Sequence, residues 1–436
     1  MVDLSGQAPQ NFFGFIRRRD WPALFGYLLF IGMMAVGYYY NVAFIQLGLL
    51  DLGQRLIGMT RLQVAAQMAA LALVTSLVSL VVGFTMQRRG WSTNFFLKLR
   101  LAWVVVAAQT LLTFIAPFLR SSAAFSGWIL LAAVALGVGV PVTFGLTVDL
   151  IPRRDRGMVA AAITALAYFA APIFSYPWRI EHLSRQMLFV MAPGLLALAG
   201  LAFWQNALTA KLARQHRQPA FYYGRFLQSG PGKRVRPRRR VYIWVVLMFG
   251  VFFIDSLGFV RMTETPALMQ GAWQAIELGP RLTIAVVHVL AAGVAGVLYT
   301  VFDERELFLW VFGLFGLVHL LYTFPFTFGA SNSQGLSQPI VYAVAVSLYT
   351  VLNFALWADI STARTISRNA ALGVALSAWS ATFISTALAL VFQTAGMSLT
   401  LHLRIVDALA ALFFVSMLIV TFFRTAERQP QETSAS

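Results

Sequence analysis

Apolar runs at residues 22–47, 63–86, 98–119, 125–150, 158–178, 187–209, 241–262, 282–302, 307–326, 338–359, 370–394 and 406–423 dominate this chain. A helix needs ~20 such residues to cross a bilayer. It is also the open-chain structure that satisfies its own backbone hydrogen bonds in lipid. A transmembrane barrel would show short alternating segments, and none is present. With 59% of 436 residues hydrophobic and 11% charged, a water-soluble enzyme is excluded. The runs predict an all-α integral membrane protein of twelve transmembrane helices with both termini on one side.

The side follows from the basic residues. The chain carries 33 Lys and Arg against 16 Asp and Glu, a formal charge of +17. In a soluble protein this excess would suggest nucleic acid, but here it lies between apolar runs and reads as an orientation signal. With the amino terminus inside, 25 of the 33 basic residues fall in inner segments and 8 in outer ones. Both termini are therefore expected in the cytoplasm, and no nucleic-acid partner is expected. Thirty of the basic residues are Arg, a composition of GC-rich bacterial genomes, so the inner membrane is the expected location. The first run follows Arg17-Arg18-Arg19 and lacks a small-residue cleavage site, which predicts a retained span. Cysteine is absent, and His182, His216, His288, His319 and His402 have no ligand-like spacing. No metal site, cofactor or catalytic constellation is expected.

Residues 210–240 form the longest interruption, with ten basic residues, no acidic one and the breaker Gly230-Pro231-Gly232. This stretch is predicted to be a cytoplasmic linker held by anionic lipids, between a six-helix unit over 1–209 and another over 241–436. Gly232-Lys233-Arg234 lacks the remaining elements of a phosphate loop. A weak repeat at an offset of 210 aligns Asp149 with Asp359, Ala161 with Ala371 and Ser175 with Ser385. Each aspartate ends an apolar span and precedes a basic loop. Two parallel six-span repeats, related by an axis along the membrane normal, are one build of secondary transporters.

On these features the chain resembles the major facilitator superfamily over nearly its whole length. The family signature GxxxDRxGRR between the second and third spans is met by Gly83-Phe84-Thr85-Met86-Gln87-Arg88-Arg89-Gly90-Trp91-Ser92, matching at Gly83, Arg88 and Gly90. Gln87 stands where the family has Asp, which predicts a reduced charge network in this half. The loop from Asp149 to Gly157, with Arg156-Gly157 after the acid, is similar to the family's related motif. In the second half the signature is worn to the stretch Gly296 to Arg305. The resemblance implies two bundles that rock about a central cavity. It also implies a cytoplasmic gate at Gly83, Arg88, Gly90, Asp149, Arg156, Gly157 and Asp359. For the two aspartates, helix-end anchoring is the alternative. Ala170-Ala171-Pro172 has the proline of the drug/proton antiporters without their glycines, which speaks against drug efflux.

An ionisable group inside a span is costly and marks function by default. Asp255 is the acidic residue that lies away from any span end, in the run that lines the cavity in this family. A desolvated carboxylate there can take up and release a proton as the cavity opens to alternate sides. His288, mid-way along the eighth run, can bond to cargo or to Asp255, with a satisfied packing histidine as an equal alternative. Tyr40, Asn41, Ser256 and Gln67 are the expected cavity residues, and His319 is assigned to packing. The function implied is alternating-access transport of a small solute or amphipath by a monomer, with any proton coupling resting on Asp255. A transporter-like protein that handles lipid or senses a ligand without solute flux is the alternative.

Overall fold

Local capping signals set where the helices begin. Asp20, with Pro22 behind it, caps the first long helix, and Thr60 with Gln63 forms a reciprocal capping box on the second. Asn94 and Ser121 cap the third and fourth. In this computed structural model residues 10–174, 179–227, 238–264, 275–328 and 337–426 are described. Twelve long helices are found among them. The first six are Trp21–Leu56, Arg61–Arg88, Phe95–Phe118, Ser122–Leu150, Arg156–Phe174 and Ile180–Phe203. The second six are Arg238–Glu264, Leu278–Val301, Glu304–Phe328, Ser337–Asp359, Ile366–Thr394 and Leu399–Ala426. No strand occurs among the described residues beyond one isolated bridge, Tyr223 to Thr362.

Several helices exceed the apolar runs that mark them. The first continues to Leu56 through wide π-helical turns at Tyr40–Gly48 and Leu52–Leu56, and the sixth begins at Ile180. Both extensions carry charges that hydropathy alone excludes, and those charges meet: Arg55 bonds Asp51 at 2.7 Å and Glu181 at 2.6 Å. The twelfth begins at Leu399, where His402 donates from Nε2 to the Leu257 carbonyl at 2.7 Å.

Helix packing repeats itself six spans on. First packs on fifth as seventh packs on eleventh, second on fourth as eighth on tenth, and third on sixth as ninth on twelfth. Contacts between the halves obey the same rule: second with eleventh matches eighth with fifth, and fourth with eleventh matches tenth with fifth. This is the pattern of two six-helix bundles related by a pseudo-twofold axis. Small residues permit the close inter-half crossings. A Cβ added to Gly83 would lie 2.7 Å from the Ala371 Cβ, and one on Gly296 would lie 2.7 Å from that of Ala161. The outer surface is apolar, with Phe189, Leu196, Val294 and Leu412 exposed, while Thr75, Ser79, Thr164, Ser347 and Thr350 are buried. That inversion of ordinary protein chemistry is what lipid requires.

The first part of the linker is folded. A helix at Ala207–Gln215, capped by Asn206, and a short one at Pro219–Tyr222 lie across the end of the bundles where Asp149, Arg156 and Asp359 reside. Residues 238–240 already belong to the seventh helix. The stretch 228–237, with the Gly-Pro-Gly breaker, lies outside the described residues.

Candidate functional site

Two constellations stand out, one at mid-depth and one at the linker face. At mid-depth Asp255 is buried in the seventh span, and the tenth span supplies its partners. Tyr342 and Tyr349, seven residues apart and so about two turns along one helix face, donate their hydroxyls to the two carboxylate oxygens at 2.5 and 2.8 Å. Among the described residues no basic side chain pairs with Asp255. Across the seam Tyr38 of the first span and Tyr168 of the fifth share a hydrogen bond of 2.7 Å, and Tyr168 reaches Thr350 at 3.3 Å. Asp255, Tyr38, Tyr168, Tyr342, Tyr349 and Trp379 all border one cavity of about 30 Å³. A water needs roughly 10–15 Å³ by this measure, so the pocket admits a water or two and a solute must widen it.

Sequence-predicted cavity residues divide. Ser256 borders the cavity beside Asp255. Tyr40 does not: it stacks on Phe44 at 5.0 Å and receives a bond from Thr113 of the third span at 3.4 Å, within its own bundle. Asn41 donates back to the Gly37 carbonyl at 2.8 Å. Tyr38 and Val42, four residues apart on one helix face, border the cavity instead. Gln67 binds Ser126 of the fourth span at 2.9 Å, also inside its bundle. His288 is buried, pairs through Nδ1 with Ser347 at 2.9 Å and stacks on Tyr168 at 4.5 Å. It backs the pocket wall instead of bordering the cavity. His319 stacks on Phe315.

At the linker face the two matched aspartates have different partners. Asp149 ends the fourth span and pairs with Lys98 of the third; both side chains are fully buried. The Lys98 ammonium also donates to the carbonyls of Ser92 and Gly145 at 2.7 Å each, which uses its three protons. His216 of the linker approaches Asp149 to 3.2 Å, off the line of a hydrogen bond. Asp359 ends the tenth span and pairs with Arg156 of the fifth, from the other half, at 3.0 Å. Tyr299 donates to its second oxygen at 2.9 Å and the Arg225 backbone to its first at 3.3 Å. Arg156 further donates to the carbonyls of Ala358 at 3.0 Å and Phe221 at 2.8 Å. The linker is thus tied to both halves.

Gly157 meets Gly296 closely, and Gly224 runs so near the Asp359 backbone that no Cβ fits. Gly90 holds φ +71° just beyond the second span, a left-handed residue that suits glycine. Arg88 is exposed and does not join the charge network. Just outside the fifth span, burial pushes the Asp155 carboxyl above its usual range, opposed by bonds from Tyr27 and the Phe12 backbone.

Sequence reading missed Lys98, which it counted only as an inner positive charge, and the tyrosines of the tenth span. The seven-residue spacing of Tyr342 and Tyr349 was the available signal. Nothing in the sequence pointed to the contacts of Arg225.

No protein-family model matches the chain. No curated protein matches it either. Solved structures do. The human organic anion transporter MFSD10 (TETRAN) is similar with a TM-score of 0.55 at 15% identity, over 91% of this chain and 99% of that one. The proton:xylose symporter XylE bound to 6-bromo-6-deoxy-D-glucose gives 0.58 at 12% identity, over 90% and 95%. A bacterial homologue of the iron transporter ferroportin, in an outward-facing state with soaked iron, gives 0.59 at 13% identity, over 90% and 98%. With twelve helices in two pseudo-symmetric bundles, this chain has the fold of the major facilitator superfamily.

Proposed function

We propose that this protein is a secondary transporter that moves a small solute or amphipath by alternating access, with Asp255 exchanging a proton during the cycle. The supporting observation is a buried carboxylate at the junction of the halves, held by tyrosine hydroxyls with no basic partner among the described residues. An anion left in that position is costly inside a membrane. Protonation, or a cargo group that supplies a proton, relieves the cost in one state and is reversed when the pocket is wetted. Tyr342 and Tyr349 stabilise the ionised form through charge-assisted bonds, so the two protonation states lie close enough to interconvert.

The linker face is assigned to the cytoplasm and the termini with it, in a bacterial inner membrane, from the distribution of basic residues. There Arg156 and Asp359, with Gly83 and Gly157 at the close crossings of the halves, form the gate, and Asp149 braces the first half beside it. The Arg156–Asp359 pair must separate when the cytoplasmic side opens. The protein is read as a monomer with lipid at its basic linker.

A thermal-stability screen of purified protein against metabolites and organic ions identifies a candidate cargo, since binding raises the melting point. In sealed vesicles that cargo then accumulates under an imposed proton gradient. Asp255→Asn abolishes accumulation and retains counterflow exchange. Unchanged accumulation by the variant removes the proton role. Lipid movement without flux of any screened solute transfers the protein to a lipid-handling role.

A further inference from the structure

A second cavity, of about 370 Å³, opens at the linker face between the fifth and eighth spans, well apart from Asp255. Its lining includes Arg153, Arg154, Arg225, Gly157 and Tyr299, and no carboxylate. Its volume falls in the usual range for small-ligand sites, roughly 300–1,000 Å³. Arg225 is pinned there by bonds to the carbonyls of Tyr299 and Phe302, and by the faces of Phe226 and Tyr299 at 5.1 and 5.6 Å. A guanidinium has five N–H donors, so these bonds leave others available. Arg153 is held through its backbone, which donates to the Ala220 carbonyl at 2.8 Å. Among the described residues neither Arg153 nor Arg154 has a side-chain hydrogen bond or ion pair; Asp155, whose carboxylate feels the charge of Arg154, takes its hydrogen bonds from Tyr27 and Phe12. The first turn of the fifth helix, a nineteen-residue element, adjoins the cavity through Gly157 and adds the positive end of its dipole.

A neighbouring basic cavity behaves differently. There Asp20 lies among Arg18, Lys211 and Arg214 and pairs with Lys211 at 2.8 Å. A lining that holds three arginines and no carboxylate is what sets the first cavity apart.

We propose that the Arg153/Arg154/Arg225 cavity binds a phosphate-bearing anion. Guanidinium forks match phosphate oxygens in charge and geometry. The group has two possible sources, the headgroup of an anionic lipid or a soluble polyphosphate. Because the cavity is built from the fifth span, the eighth span and the linker, a bound phosphate bridges both halves and strengthens the closed linker face.

The test uses the full chain, purified and stripped of lipid. Inorganic pyrophosphate is titrated by calorimetry in detergent. In parallel, retention of phosphatidylglycerol is measured by native mass spectrometry after reconstitution in phosphatidylcholine nanodiscs with and without that lipid. One of the two binds saturably, and Arg153→Gln with Arg154→Gln weakens it by about tenfold or more. The Arg153→Lys, Arg154→Lys pair, which keeps the charge but loses the fork, retains more binding than the glutamine pair and less than the unaltered protein. Pyrophosphate binding identifies a soluble ligand, and phosphatidylglycerol retention alone identifies a headgroup site. Absence of both, or binding indifferent to the glutamine pair, overturns the proposal. The glutamine variant's melting point without ligand reports that it remains folded.

Discussion

Asp149 and Asp359 stand 210 residues apart at matching ends of the fourth and tenth spans, and they are used in opposite ways. Asp149 pairs with Lys98 inside its own bundle, so its charge stiffens one half. Asp359 pairs with Arg156 of the other bundle, so its charge joins the halves. A duplicated architecture places the same residue type at the same position, and the partner decides whether it is a brace or a latch. The linker reinforces the asymmetry: Asp359 receives the Arg225 backbone N–H, while His216 only approaches Asp149.

The largest effects come from removing one member of either pair, since an orphaned buried charge costs about 3–5 kcal/mol. Lys98→Met and Asp359→Asn should both lower thermal stability by that order. Only Asp359→Asn should also open the seam. The chain lacks cysteine, so Ser367→Cys, at a buried position beside Gly145, gives a clean alkylation reporter. Its labelling should accelerate in the Asp359→Asn background and hold steady in the Lys98→Met background. Equal labelling in both would erase the brace-and-latch distinction.

Double substitutions sharpen it. Replacing a buried pair by apolar residues of similar size is often neutral or stabilising. Lys98→Met with Asp149→Leu should therefore recover most of the stability and leave labelling low. Arg156→Met with Asp359→Leu should recover less, because Arg156 also serves the carbonyls of Ala358 and Phe221, and labelling should stay high.

Tyr299→Phe removes one hydrogen bond to a charged acceptor, worth about 1.5–3 kcal/mol, and should raise labelling in proportion. His216→Gln should change stability by less than about 1 kcal/mol, because the contact with Asp149 lacks hydrogen-bond alignment. A large effect there would make the linker a partner of both aspartates and dissolve the asymmetry.

Much of the fold was legible in the sequence. Apolar length marked every span, and the 210-residue offset marked both aspartates before their partners were known. The pocket was legible only in part. Asp255 was visible because an acid inside an apolar run is anomalous wherever the run packs. Tyr40 could not be told from its neighbours, because among consecutive tyrosines only packing decides which one faces the cavity, and it is Tyr38, with Val42 one turn on. The sixth helix was placed about seven residues late because Glu181 and Arg185 look like loop chemistry until Arg55 is brought beside Glu181.

By itself the sequence determined how many helices cross the membrane and where the costly charges lie. Both follow from transfer free energies and backbone satisfaction within single segments. Tertiary structure alone decided which charge meets which: Lys98 with Asp149, Arg156 with Asp359, two tyrosines with Asp255, and the linker strap with both halves. Ion pairs and hydrogen bonds are short-ranged and directional, so they depend on which faces of distant helices are brought within a few ångströms. No run of residues carries that information alone.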